Sequence, residues 1–189
     1  MVAGVIVLLS SALLAAGWTL AIGDWVARNA EMGRLLQAIE GSESAMVTTQ
    51  DEVTGLMAEH GQDPEGSGLI ADLTDAAGRG RDAIAAQGSQ VQAVDVLPWH
   101  TQILDAKQAY LAHNSAWQEY LDRASQNPSE FVTPQPLVDS TFAAAEPLLR
   151  AAVPLLDLWE FTRRIDVIYA PPQAPAGEEV PGQQVRVSS

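Results

Sequence analysis

Apolar positions crowd the start of the chain and then settle into a three-and-four rhythm that persists to about residue 169. Residues 1–22, MVAGVIVLLSSALLAAGWTLAI, contain no charged side chain. About 20 apolar residues at 1.5 Å per residue match a ~30 Å hydrocarbon core, which predicts a single transmembrane helix over 1–23. A secretory signal has a shorter apolar run, a basic leader and a small-residue cleavage site. Here no basic residue precedes the run. Cleavage before Trp18, after Ala15 and Gly17, is the alternative to a retained anchor. Ser11 with Ala15 and Ala12 with Ala16 place small residues four apart, a spacing that lets another membrane helix approach closely. Trp18 and Trp25 suit the interfacial belt where amphipathic rings lie.

Beyond the anchor the period is helical throughout, and no segment alternates as a half-buried strand would. A first helix continues from the anchor with Met32, Leu35, Ile39, Met46, Val53 and Met57 on one stripe, and stops at the Gly- and Pro-rich HGQDPEGSG. Ser42 and Thr49 interrupt that stripe, as a polar layer or as small residues beneath a bulky neighbour. A second helix carries Ile70, Leu73, Ala77, Gly80, Ile84, Gln87, Val91 and Val94. Its glycines cost helix propensity, so a close neighbour is expected at Ala77 and Gly80.

A third helix is expected from DVLPWHTQ, with Asp95 as cap and Pro98 in the first turn. Its stripe is Trp99, Ile103, Ala106, Tyr110, His113, Trp117 and Tyr120. A fourth helix is expected from Thr133 and Pro134 through Trp159, kinked at Pro147 and Pro154, with a broken helix and an adaptable docking surface as the alternative. Short connections favour antiparallel neighbours. The sequence therefore predicts an all-α protein: a transmembrane helix continuing into an antiparallel up-down-up-down four-helix bundle over 24–169. A disordered Pro-rich tail over 170–189 completes it.

In that topology the fourth helix returns to the bilayer. Its end carries Trp159, Phe161, Arg163, Arg164, Ile165 and Tyr169, a mixture that suits a membrane interface alongside Trp18 and Trp25.

Charge narrows the partners. The chain has 24 acidic and 10 basic residues, a net charge of -14, and no basic stripe. Such a surface repels phosphate backbones, which argues against nucleic-acid binding. Nine basic residues are Arg and Lys107 is the single lysine, the coding bias of a GC-rich, bacterial genome. Without cysteine there are no disulfides or thiolate metal sites. Arg28 and Arg34 lean toward a cytoplasmic body by the positive-inside rule. The export-like N-terminus, the acidic body and the Pro-rich tail lean the other way, and an extracytoplasmic body is the expectation.

The motifs of chemistry are missing. His60, His100 and His113 form no i, i+4 pair, and there is no HExxH, ExxH, phosphate loop or GxSxG elbow. His113, on an apolar stripe, is expected to be a buried, hydrogen-bonded core histidine. No catalytic residue, cofactor or metal site is expected. The reading is a non-enzymatic accessory or interaction subunit of a membrane complex, with other membrane proteins or a second copy as partners. The alternative is an extracytoplasmic sensor or ligand-binding module acting through a partner. In architecture alone, a tethered bundle resembles the sensing domains of chemoreceptors and sensor kinases. Such a module needs a cavity between its helices.

Overall fold

In the computed structural model, backbone is described for residues 2–60, 68–155 and 157–170, and side chains from Trp18 onward within those ranges. Among the described residues there are five α-helices and no strand. Helix α1 spans Val2–His60, α2 Leu69–Ala93, α3 Thr101–Gln126, α4 Pro136–Ala152 and α5 Leu158–Ile168. A 3-10 turn, Pro128–Val132, separates α3 from α4.

At 59 residues α1 is the spine, about 90 Å long at 1.5 Å per residue. Its stripe is buried as the spacing predicts, with Met32, Leu35, Ile39, Met46 and Val53 in the core. The two polar interruptions have different reasons. Ser42 accepts a hydrogen bond from Asn114 Nδ2 at 2.8 Å and is a true polar layer. Thr49 returns its hydroxyl to Ala45 O at 2.8 Å and lies against Gly80. A Cβ at Gly80 would overlap the Thr49 side chain, and one at Gly88 would overlap Asn114. Glycine lets α2 approach both neighbours closely, which outweighs its propensity cost of about 1 kcal/mol. Gly88, rather than Gln87, therefore completes the buried stripe, and Ile70 is exposed.

Contacts along α1 fix the directions. Helix α2 descends it, from Arg79 on Glu52 to Arg34 on the Asp95 carbonyl. Helix α3 ascends, from His100 beside Asp24 to Asn114 beside Ser42. Helix α4 descends along α3, from Gln135 at Arg123 to Thr141 at His113. After α4 the direction reverses, and α5 ascends again, from Asp157 at Asn29 to Arg164 at Glu40. We call the end near Asp24 the base.

Several expectations are corrected. The last helix does not return to the base as one piece. Pro147 is accommodated inside α4, whereas Val153 ahead of Pro154 is extended (ψ 125°) and ends it. The residue before a proline is disfavoured in helical geometry; Glu146 stays helical ahead of Pro147 all the same, whereas Val153 leaves it, and α5 then runs in the reverse direction. The fourth helix also starts at Pro136, not Thr133, because the 3-10 turn occupies the preceding residues. Helix α3 starts at Thr101; Asp95 and Pro98 belong to a connection, and Trp99 is exposed. The expected transmembrane helix is not supported. Among the described residues no helix is long and apolar enough to cross a membrane. From Asp24 onward α1 carries a charge on nearly every turn, at Asp24, Arg28, Glu31 and Arg34. The side chains of 1–17, and the tail 171–189, lie outside the described residues.

The core has two main parts. One, toward the base, joins Met32, Leu36 and Ile39 of α1 with Tyr110, Leu149, Phe161 and Ile165. The other, farther out, joins Met46, Ile84, Trp117, Leu121 and Val138. Ser42, His113 and Asn114 form a buried polar layer between them.

Candidate functional site

Three places hold unusual chemistry: the base, the polar layer, and a cleft beside α5.

At the base, the connection from α2 to α3 folds over Glu31. The carboxylate is buried (3% exposed) and accepts from Leu97 N–H at 3.1 Å. His100 Nδ1 reaches its other oxygen at 2.6 Å, while His100 Nε2 meets Asp24 Oδ1 at 3.1 Å. Trp99 Nε1 donates to the same Asp24 oxygen at 2.8 Å. Burial alone would lower the His100 pKa, but the two carboxylates outweigh it and hold it above the ordinary histidine value. The Trp99 and His100 hydrogen bonds in turn hold Asp24 below its ordinary value. A carboxylate oxygen at each ring nitrogen favours the protonated ring, and His100 is clamped between two α1 side chains. The two acids bracket the ring rather than converge on a point. Among the described residues no group of three or more His, Asp or Glu could hold a metal ion.

The outer surface of the base is apolar. Trp18 is 69% exposed, Trp99 63%, Leu155 88% and Trp159 82%. They come from α1, the α2–α3 connection and the α4–α5 reversal. Trp99 lines a shallow hollow together with Thr19, Leu20 and Ala27, and Trp159 follows two residues after Asp157, which is bonded to Asn29.

In the polar layer, His113 Nδ1 donates to Thr141 Oγ1 at 3.2 Å. That hydroxyl is itself committed to the Leu137 carbonyl at 2.8 Å, so it accepts. Burial lowers the His113 pKa to about 4, and the ring is neutral. Glu43 lies 3.7 Å from Nε2, too far for a hydrogen bond; it accepts from Tyr110 O–H at 2.7 Å, and burial raises its own pKa. Tyr169 stacks on Phe142 at 4.3 Å, and its buried hydroxyl finds no partner among the described residues.

The site residues expected from the sequence are thus divided. Trp18 and Trp159 are exposed, and Trp25, two turns along α1 from Trp18, is half-buried. Phe161 is not interfacial: it is 5% exposed and packs in the core toward Gly33. Arg164 is held by Glu40 in a two-pronged pair at 2.7 and 2.9 Å, and Tyr169 lies at the polar layer. Arg163 is exposed, but on the ascending α5. The reversal before α5 buries Phe161 in the core part toward the base and carries Arg163, Arg164 and Tyr169 farther up the spine. His113 is a buried, hydrogen-bonded core residue, as expected. Ser11, Ala12, Ala15 and Ala16 lie outside the described side chains. Sequence reasoning missed Glu31 and His100. The available signal was Glu31 at four-residue spacing from Leu35 and Ile39, an acid on the buried stripe.

No family model matches the chain, and comparison with curated proteins and with solved structures finds no match.

Proposed function

We propose that this is a single-span membrane protein whose helical body stands base-down on the bilayer, as a structural or interaction subunit of a larger membrane complex. The observation that carries the reading is a set of large apolar side chains exposed on the lower part of the body. Trp18, Trp99, Leu155 and Trp159 come from three separate parts of the chain, Trp18 lowest and Trp159 between the levels of Asn29 and Gly33. Tryptophan prefers the headgroup level, and the uncharged residues 1–22 leave the body at this same end. Those residues serve as the anchor, and Ser11, Ala12, Ala15 and Ala16 form the face that meets a partner helix. The body is placed outside the cytoplasm, where an acidic surface and an export-like N-terminus fit. The buried charges at the base hold the α2–α3 connection in place and need no substrate. The protein is read as non-enzymatic.

The test uses the full chain in its own membranes. It should resist alkaline extraction, and lipids brominated near the headgroup should quench fluorescence that is lost on Trp99→Phe and Trp159→Phe. Leucine at positions 11, 12, 15 and 16 should leave the chain in the membrane but release the membrane proteins that copurify in mild detergent. Release of the full chain by alkali would sink the membrane reading. Unchanged copurification of the leucine variant would sink the helix-contact reading.

A second reading, a ligand-binding or sensing module acting through a partner, is favoured by one observation: an aromatic-floored cleft between the helices.

A further inference from the structure

Helix α4 packs on α3 and stands away from α1, and α5 fills the space between α4 and α1 only toward the base. Farther out the space remains open as a cleft of about 440 Å³. Trp117 and Tyr120 of α3 and Phe131 of the 3-10 turn line it. Their rings meet edge-on, with centroids 5.5 and 5.9 Å apart. The walls differ from the floor. Asp51 on α1 and Asp139 on α4 line opposite sides; both are exposed, and neither has an ion pair among the described residues. No basic side chain is among the described residues that line it. Arg123, close to the 3-10 turn, is engaged with Glu119 at 2.8 Å and Gln135 at 3.2 Å.

We propose that this cleft binds a small organic cation with an apolar body, an alkyl- or arylammonium. The volume falls within the roughly 300–1,000 Å³ of small-molecule sites. Aromatic rings attract a weakly hydrated cation through their quadrupole. The two carboxylates, one from each wall, supply the charge that a neutral guest would not need and an anionic one would be repelled by. The net charge of -14 raises the local concentration of any cation. The inference deepens the ligand-binding reading and does not depend on the membrane anchor.

The experiment titrates benzyltrimethylammonium into the full chain held in discs of zwitterionic lipid, with empty discs as blank. Benzyl alcohol, which has the ring without the charge, is run beside it. Saturable binding of the cation, much weaker for the alcohol, is expected. Asp51→Asn with Asp139→Asn, both at exposed positions, should weaken the cation about tenfold and leave the alcohol and the melting curve unchanged. Phe131→Leu should weaken the cation about threefold. The proposal is overturned if no binding exceeds the blank, if the alcohol binds as well, or if the double variant binds the cation undiminished. It is also overturned if binding requires ending the chain after Ala170, since the chain's own C-terminal segment would then be the occupant. None of these results would alter alkaline extraction or lipid quenching, so the two readings fail separately.

Discussion

His100 and His113 belong to the same helix, at its cap and in its middle, and are 1% and 2% exposed, yet their pKa values are pushed in opposite directions. His100 has carboxylate oxygens at 2.6 and 3.1 Å, which favour its protonated form. His113 has a hydroxyl at 3.2 Å and a carboxylate only at 3.7 Å, and is held neutral. Burial sets the cost of charging either ring. An acid within hydrogen-bond reach decides the sign. The base is therefore fastened by charge, while the polar layer is fastened by shape and neutral hydrogen bonds.

The largest effect should come from removing one side of the fastening. His100→Leu would leave Glu31 buried with only Leu97 N–H, and should cost about 3 kcal/mol of unfolding free energy in urea at pH 6. His113→Leu, which removes a neutral ring, should change stability by under about 1 kcal/mol. Equal losses at the two positions would break the comparison.

The pH dependence sharpens it. For His100 the folded pKa lies above the unfolded value of about 6.5, so its contribution is full below that value. It is lost as pH rises through the folded pKa. For His113 the folded pKa of about 4 lies below the unfolded value. Its neutral burial costs nothing above pH ~6.5, and stability falls as pH drops from there toward 4. Thermal melts should show the alkaline-side loss abolished in His100→Leu and the acid-side loss reduced in His113→Leu. The opposite assignment would overturn both charge states.

The smallest effect concerns α5. Its Arg164–Glu40 pair is partly exposed, with side chains 21% and 40% accessible. Arg164→Ala should cost about 1 kcal/mol or less and raise hydrogen exchange in α5 but not in α2. Equal rises in both helices would show α5 to be part of one cooperative unit with the spine.

The all-α class, the stripes of α1, α2 and α3 and the burial of His113 were legible because helical period and apolar spacing are local properties of the chain. Gly80 was legible as a close approach for the same reason, lying on the stripe itself. Glu31 and His100 are far apart in sequence, and only the fold of the α2–α3 connection brings their side chains to 2.6 Å. The cleft was not legible either, since it is a gap left where α5 ends.

What the sequence determined by itself, then, is the helical class and the buried stripes of α1, α2 and α3, because backbone geometry imposes its period residue by residue. It marked Pro147 and Pro154 as places where the last helix is strained, but only the structure shows that the first is accommodated and the second ends α4. The direction taken after that break was a tertiary decision. Phe161 and Ile165 find their burial beside Met32 and Leu36, and Arg164 finds Glu40, only if α5 turns back along α1. That choice buried Phe161, carried Arg164 and Tyr169 up the spine, left Trp159 exposed, and opened the cleft above. Long-range packing decided these placements because the free energy of burying a helix face depends on which surfaces remain uncovered when it arrives.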